Sequence, residues 1–145
     1  MAYIDTSVWV AALCREALTA RVQTWLEKQP AGALHTSGWV QAEYASALAL
    51  KQRTGQLDAA QAATAMTLFS AAAEHACRRV SVEEVDFALA SRLVADPSSG
   101  LRAGDALHLA MAARQGLALV TLDSTLAKAA QRFGVQSRLL QEETA

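Results

Sequence analysis

Four acidic side chains occur at positions from which they could share one site. Asp5 follows a short apolar segment, and Asp123 follows a longer apolar run. Such segments are typical of buried parallel strands, and ligands of open α/β sheets bind beyond the carboxyl ends of the strands. Asp105 begins a predicted helix after a flexible segment, and Glu43 lies inside a predicted helix beside its apolar residues. The pattern predicts that these acids meet at one edge of a sheet.

A cluster of carboxylates points to chemistry with a divalent cation. Two carboxylates about 5 Å apart repel each other by roughly 3 kcal/mol at an effective dielectric near 20. Four of them would remove much of the stability of an ordinary domain, so the cluster requires protonation or a bound cation. Ligation by oxygen alone, without His or Cys, suits Mg²⁺ or Mn²⁺.

Each acid also has a simpler explanation. Asp5, Asp105 and Asp123 lie at predicted helix starts, where Asp is among the preferred N-cap residues. Glu43 could be a boundary residue that reaches for water. His108, one turn after Asp105, is interpreted as a packed helix histidine.

The elements that must position these residues alternate along the chain. Apolar periodicity, capping residues and Gly or Pro stops predict helices over about 8–13, 17–28, 38–53, 58–75, 81–95, 104–115 and 125–133. Strands are predicted near 2–4, 33–36, 77–80, 117–122 and 135–140. Ser81 and Glu84 have the spacing of a capping box, and Asp86 is interpreted only as a favourable first-turn charge.

This alternation predicts an α/β fold, a three-layer αβα sandwich around a mostly parallel sheet of about five strands. No linker or internal repeat divides the sequence, so residues 1–145 are predicted to form a single domain. Asp96-Pro97-Ser98-Ser99-Gly100 is the clearest loop in the sequence, and the flexible region over Ser98–Gly104 is long enough to carry Asp105 to the edge of the sheet.

Composition limits the classes of protein that fit. The chain has 145 residues, 52% of them hydrophobic, and a net charge of −1, which argues against a histone-like nucleic-acid binder. No apolar run approaches the ~20 residues that span a bilayer. Cys14 and Cys77 lack metal-type spacing and are predicted to be reduced and buried. We expect a cytoplasmic protein with no membrane association.

Four blocks of sequence add a resemblance to a known family. Residues 3–7, 37–48, 101–110 and 119–123 resemble the corresponding blocks of PIN-domain nucleases, and specifically of the VapC-type ribonuclease toxins of bacterial toxin–antitoxin modules. The blocks occur in the family's order and cover essentially the whole chain, while residues 54–97 match only in their helix pattern.

The resemblance implies a site, a reaction and partners. Its acidic positions fall on Asp5, Glu43, Asp105 and Asp123, which would be both catalytic residues and ligands of Mg²⁺ or Mn²⁺. The implied activity is hydrolysis of RNA phosphodiester bonds by a metal-dependent endoribonuclease, leaving a 5′-phosphate and a 3′-hydroxyl. A cognate antitoxin and a homodimer are expected with it.

Individual roles follow from the same resemblance. Asp5 and Asp105 would be the main metal ligands, Asp123 could bind through water, and Glu43 could orient or deprotonate the nucleophile. The hydroxyl expected after the first acid falls on Thr6 or Ser7, which would hold a metal water or a phosphate oxygen. Arg102 could steer the RNA backbone.

Three other functions remain open at this stage. A haloacid-dehalogenase-type phosphotransferase or phosphatase also begins with a strand and an Asp, but it usually has a second Asp where Ser7 stands. A receiver-type phosphorylation switch would need a Lys at the end of a late strand, and none is present. A non-catalytic RNA- or protein-binding PIN module would need one of the four acids to be dispensable.

Overall fold

The central sheet holds the edge at which the acidic residues were predicted to meet. The computed structural model describes residues 1–141, and within them the sheet has five strands, all paired in parallel. Their spatial order is β3-β2-β1-β4-β5. The strands are β1 (Ala2–Ile4), β2 (Leu34–Ser37), β3 (Cys77–Val80), β4 (Ala118–Thr121) and β5 (Ser137–Leu139). The predicted parallel sheet of about five strands is confirmed.

The strand order explains where the site forms. β1 lies between β2 and β4, with Tyr3 opposite His35 on one side and Leu119 on the other. The chain winds outward in opposite directions from this position, which makes the crevice beside β1 the switch point where α/β proteins bind ligands. Asp5 directly follows β1, and Asp123 comes two residues after β4.

Helices flank the sheet and complete the predicted αβα sandwich. They are α1 (Thr6–Leu13), α2 (Thr19–Glu27), α3 (Gly38–Arg53), α4 (Ala59–His75), α5 (Glu84–Ala95), α6 (Ala103–Gln115) and α7 (Ser124–Arg132). A short 3-10 turn (Pro97–Ser99) precedes α6. None of the helices in residues 1–141 combines the length and the apolar character that crossing a bilayer would demand.

The start of α5 differs from its prediction. Glu83, not Ser81, occupies the N-cap position, and the Asp86 carboxylate accepts a hydrogen bond from the Glu83 N–H. Asp86 is only 1% exposed and binds the Arg114 guanidinium of α6 through two hydrogen bonds of 2.7 and 2.9 Å. The capping box predicted for Ser81 and Glu84 is therefore wrong, because a buried ion pair fixes the first turn of α5.

The most deeply buried helix carries part of the candidate site. Residues 106–112 of α6 are all buried, and the helix packs against α5, α7 and β4. Tyr3 and Ile4 of β1 are fully buried beneath the same layer. Since close-packed interiors allow little movement, side chains that leave α6 and β1 start from fixed backbone positions.

Candidate active site

One cleft at the carboxyl edge of the sheet brings together every residue that was predicted for the site. Its volume is about 990 Å³. Its walls include the seven predicted residues, which are Asp5, Thr6, Ser7, Glu43, Arg102, Asp105 and Asp123.

Asp5 is both a helix cap and a buried member of the cleft. Its carboxylate accepts from the Val8 N–H, as an N-cap does, and also from the hydroxyls of Ser7 and Thr121. Only 3% of the residue is exposed. Burial raises the pKa of Asp5 above its usual value, and the hydrogen bonds offset this only in part. The capping explanation is correct, yet it leaves a largely desolvated carboxylate at the cleft.

Glu43 has no capping role and is held by two side chains. Thr6 Oγ1 donates to Glu43 Oε1 over 2.7 Å, and His108 Nε2 lies in a short hydrogen bond to the same oxygen. Burial alone would raise the pKa of Glu43, but the contacts with His108 and Thr6 outweigh it and lower the pKa. Glu43 is therefore an ionised carboxylate at neutral pH.

A buried chain of hydrogen bonds stands behind Glu43. His108 Nδ1 lies 2.7 Å from the Tyr3 hydroxyl, which lies 2.8 Å from the Ser37 hydroxyl. Tyr3, Ser37 and His108 are each at most 1% exposed. His108 is packed, as its interpretation from sequence stated, but it also contacts an acid of the site, which that interpretation did not foresee. We call the series Ser37–Tyr3–His108–Glu43 the relay.

Asp105 is the acid with the least support from the protein. It lies in the first turn of α6, whose N-cap position is Arg102, so the predicted capping role is wrong. Within residues 1–141 no group donates a hydrogen bond to its carboxylate. Burial raises the pKa of Asp105, and the negative charges of Asp123, Glu43 and Asp5 raise it further against the opposing effect of His108.

Asp123 caps α7 with one oxygen. Its Oδ1 accepts from the N–H groups of Thr125 and Leu126 at 2.8 and 3.2 Å. Here too the capping explanation and the place at the cleft hold together, since the same side chain lines the cavity.

The predicted substrate-binding residues divide into two kinds. The hydroxyls of Thr6 and Ser7 donate to Glu43 and Asp5, and Ser7 Oγ also accepts from the Leu122 N–H. They therefore position carboxylates. Arg102 is exposed on the wall of the cleft. The place of a second Asp, which a haloacid-dehalogenase-type enzyme would use, is taken by a Ser that supports the first.

Residues 2–132 match the PIN domain family. The chain belongs to this family. A comparison with curated protein sequences gave no significant match.

Solved structures support the fold of this PIN domain. FitAcB from Neisseria gonorrhoeae has 20% sequence identity and a TM-score of 0.70, with 97% of this chain and 98% of that one covered. VapC20 from Mycobacterium tuberculosis, described as a toxin that cleaves the sarcin–ricin loop, has 20% identity and a TM-score of 0.71, with 89% and 95% covered. A toxin–antitoxin complex from Klebsiella pneumoniae has 14% identity and a TM-score of 0.66, with 99% and 100% covered.

The carboxylates of the cleft in this PIN domain are of the chemical type that binds hard divalent cations. Among residues 1–141, no three His, Cys, Asp or Glu side chains lie close enough together to form a metal-binding group. Glu43 Oε2, Asp123 Oδ2 and both oxygens of Asp105 nevertheless have no hydrogen-bond donor in that part of the chain. Four carboxylates, with Asp105 beside three like charges, are the type of donor that Mg²⁺ or Mn²⁺ prefers.

Sequence reasoning missed a close contact between α3 and α6. Trp39 Nε1 donates to the Gly104 carbonyl over 3.2 Å, and Trp39 lines the cleft. A Cβ on Gly104 would lie 2.9 Å from Glu43 Oε2 and 3.3 Å from the Trp39 ring, so any larger residue there would displace the Glu43 carboxylate. The signal available in the sequence was the spacing of Trp39 and Glu43, four residues apart on one helix face.

Proposed function

We propose that this PIN domain is a metal-dependent endoribonuclease and the toxin of a type II toxin–antitoxin pair. The observation that carries the proposal is Asp105, a half-buried carboxylate without a hydrogen-bond donor in residues 1–141, whose pKa three other cleft acids raise. A bound cation relieves this repulsion, and a phosphodiester is a substrate that needs such a cation to approach four carboxylates.

The residues of the cleft have distinct tasks in this mechanism. Asp5, Asp105 and Asp123 would hold Mg²⁺ or Mn²⁺, with Glu43 beside them. Such a cation supplies Lewis acidity, which neutralises charge on the phosphate and makes a nearby water easier to deprotonate. Glu43, ionised at neutral pH, accepts the proton of the attacking water as general base.

The supporting residues position the reacting groups and do not themselves react. Thr6 and the relay hold Glu43 Oε1, so that Oε2 stays free to take the proton. Arg102 on the cleft wall contacts the phosphate backbone of the RNA. The resemblance to VapC-type toxins implies products with a 5′-phosphate and a 3′-hydroxyl.

The structural neighbours support the partner part of the proposal. A toxin–antitoxin complex from Klebsiella pneumoniae and VapBC2 from Rickettsia felis bound to a promoter DNA fragment share this fold. We propose a cognate antitoxin, a homodimeric assembly and a cytoplasmic location for this chain.

An RNA cleavage assay tests the activity. Purified protein with Mg²⁺ or Mn²⁺ should cut a mixed pool of single-stranded RNA, and excess EDTA should stop the reaction. Asp105→Asn should abolish cleavage without loss of stability, because it removes a charge that no donor supports. Asp58→Asn is the matched control, since Asp58 caps α4 away from the cleft and Asn caps as well as Asp.

Two results would contradict the proposal. Undiminished cleavage in EDTA would exclude metal dependence. Release of phosphate from small phosphomonoesters, with RNA left intact, would favour the phosphotransferase instead.

A further inference from the structure

A partly buried aromatic ring separates the carboxylate cleft from a second cavity. Trp39 lies one helical turn before Glu43 on α3, and its side chain lines both spaces. The second cavity has a volume of about 480 Å³. We call it the apolar recess, and its principal walls are Trp39, Phe87, Ala90, Val94, Ala103 and Leu107.

The Trp39 ring is fixed in orientation. Its Nε1–H donates to the Gly104 carbonyl, which uses the only hydrogen-bond donor of the indole. Because Gly104 has no Cβ, α6 approaches the ring closely, and an added Cβ there would stand 3.3 Å from Trp39 Cζ2. The ring therefore presents carbon surface to a ligand and loses little entropy when a ligand packs on it.

The apolar recess and the cleft differ in charge. Within residues 1–141, no charged side chain is among the walls of the apolar recess, whereas five carboxylates, Glu16 and the four candidate acids, line the cleft on the other side of Trp39. The Arg79 guanidinium lies beside Gly38, one of the wall residues, and the mostly apolar walls otherwise suit a flat neutral ring. Its volume also lies within the ~300–1,000 Å³ that is usual for small-molecule pockets with mostly apolar walls.

An RNA strand that is cleaved at the four acids must place a flat nucleobase close to the apolar recess. The nucleobases on either side of the scissile phosphate are the parts of the substrate nearest to it. Proteins bind unpaired bases by stacking them on aromatic side chains. We propose that Trp39 and the apolar recess bind one nucleobase adjacent to the scissile phosphate. This inference rests on the proposed ribonuclease function.

The character of the walls sets the expected selectivity. Ser91 is a polar side chain of the apolar recess, and its hydroxyl donates to the Phe87 carbonyl of its own helix. The edges of a bound base therefore contact few hydrogen-bonding groups that could distinguish one base from another. Stacking on an aromatic ring accepts all four bases. The site selects unpaired RNA over duplex RNA, with little preference among the four bases.

The test compares matched RNA substrates in the intact protein. The cleavage position is first mapped on a single-stranded oligonucleotide. Three further oligonucleotides then carry an abasic ribose 5′ to the scissile phosphate, 3′ to it, or several nucleotides away. One of the two flanking abasic sites should lower kcat/KM of the wild type by about 10-fold, mainly through KM, and the distant one should not.

Substitutions connect that loss to the ring. Trp39→Leu should lower kcat/KM on intact RNA by a similar factor, and the flanking abasic site should cause no further loss in this variant. Trp39→Phe keeps a π face and should retain most of the discrimination. Trp25→Ala is the matched control, because Trp25 lines neither cavity and lies under Arg138. Melting curves establish that each variant is folded.

The remaining outcomes overturn the inference in different ways. If wild type cuts intact and abasic RNA equally well, the base site does not exist although the ribonuclease does. If Trp39→Leu still discriminates, the base binds elsewhere. If Trp39→Leu converts a dimer to a monomer in sedimentation, a second copy covers the apolar recess. If wild type cuts no RNA with metal present, the proposed function itself fails. If Trp39→Leu does not fold, equal cleavage of intact and abasic RNA by wild type still overturns the inference.

Discussion

Among the four acids, Glu43 is the one that lies inside a helix and away from any helix start. It caps no helix, and its Oε1 is held by Thr6 and His108 while Oε2 has no donor within residues 1–141. Glu43→Gln keeps the size of the side chain and nearly the same helix propensity. We expect cleavage to fall at least ~10²-fold with little change in melting temperature, since a general base is lost. Wild-type activity in a folded Glu43→Gln protein would return Glu43 to the role of a boundary residue.

Asp105 gives a pH dependence whose sign follows from its environment. Its pKa in the folded protein is raised above the usual 3.8, because burial and neighbouring carboxylates disfavour the charged form. Between the two pKa values the folded state holds more protons than the unfolded state, so the free energy of unfolding falls as the pH rises through this window. Burial also raises the pKa of Asp5, so Asp5 changes the free energy of unfolding with pH in the same direction.

The corresponding measurement is a set of melting curves in EDTA from pH 4 upward. We expect Asp105→Asn to flatten the decline in stability toward neutral pH and to melt higher than wild type at pH 7. Parallel curves for the two proteins would mean that neither burial nor the neighbouring acids raise the pKa of Asp105.

At the scale of elements, the relay ties together β1, β2, α3 and α6. Tyr3 comes from β1, Ser37 from the end of β2, Glu43 from α3 and His108 from α6. If the relay positions Glu43, RNA cleavage depends on the Tyr3 hydroxyl, although this buried group touches neither the RNA nor a metal.

Tyr3→Phe tests that dependence by removing only this hydroxyl. Two buried partners lose their hydrogen bond, which costs about 1–3 kcal/mol in the free energy of unfolding. If the relay positions Glu43, kcat should also fall, while KM for RNA stays near its wild-type value. Tyr44→Phe is the control, because its hydroxyl bonds to the buried Ala65 carbonyl away from the cleft. Equal losses of kcat in the two variants would assign Tyr3 a purely structural role.

Elements were easier to predict from sequence than the contacts between them. The strand after Met1 and the helix capped by Ser37 depend on local apolar pattern and capping, and both occur as predicted. The roles of Asp86 and His108 depend on which face of α5 and α6 meets which neighbour. The rotation of each helix about its own axis is set by contacts between residues far apart in sequence. His108 and Glu43, for example, are 65 positions apart.

The candidate site shows the same division at the level of chemistry. Asp5 and Asp123 could be placed at one edge because each follows a strand of a parallel sheet. The spacing of Trp39 and Glu43 places the Trp39 ring near that acid, but it does not show that the ring contacts Gly104 of another helix.

For the whole molecule, the decisive property is whether metal binding and folding are linked. A ligand that binds only the native state stabilises it by about 2.7 kcal/mol at 100 times its dissociation constant. For a chain near 150 residues, each kcal/mol raises the melting temperature by about 2–4 °C. Wild type should therefore melt several degrees higher with Mg²⁺ or Mn²⁺ than with EDTA at fixed ionic strength.

Asp5→Asn separates this linkage from helix capping. Asn can still accept from the Val8 N–H, and Asn caps helices about as well as Asp. In EDTA the variant should be at least as stable as wild type, because burial disfavours the charge that has been removed. The gain on adding metal should shrink and cleavage should disappear, whereas Asp58→Asn should keep the full gain. An equal gain in wild type and Asp5→Asn would mean that Asp5 is only a cap and that any metal binds elsewhere.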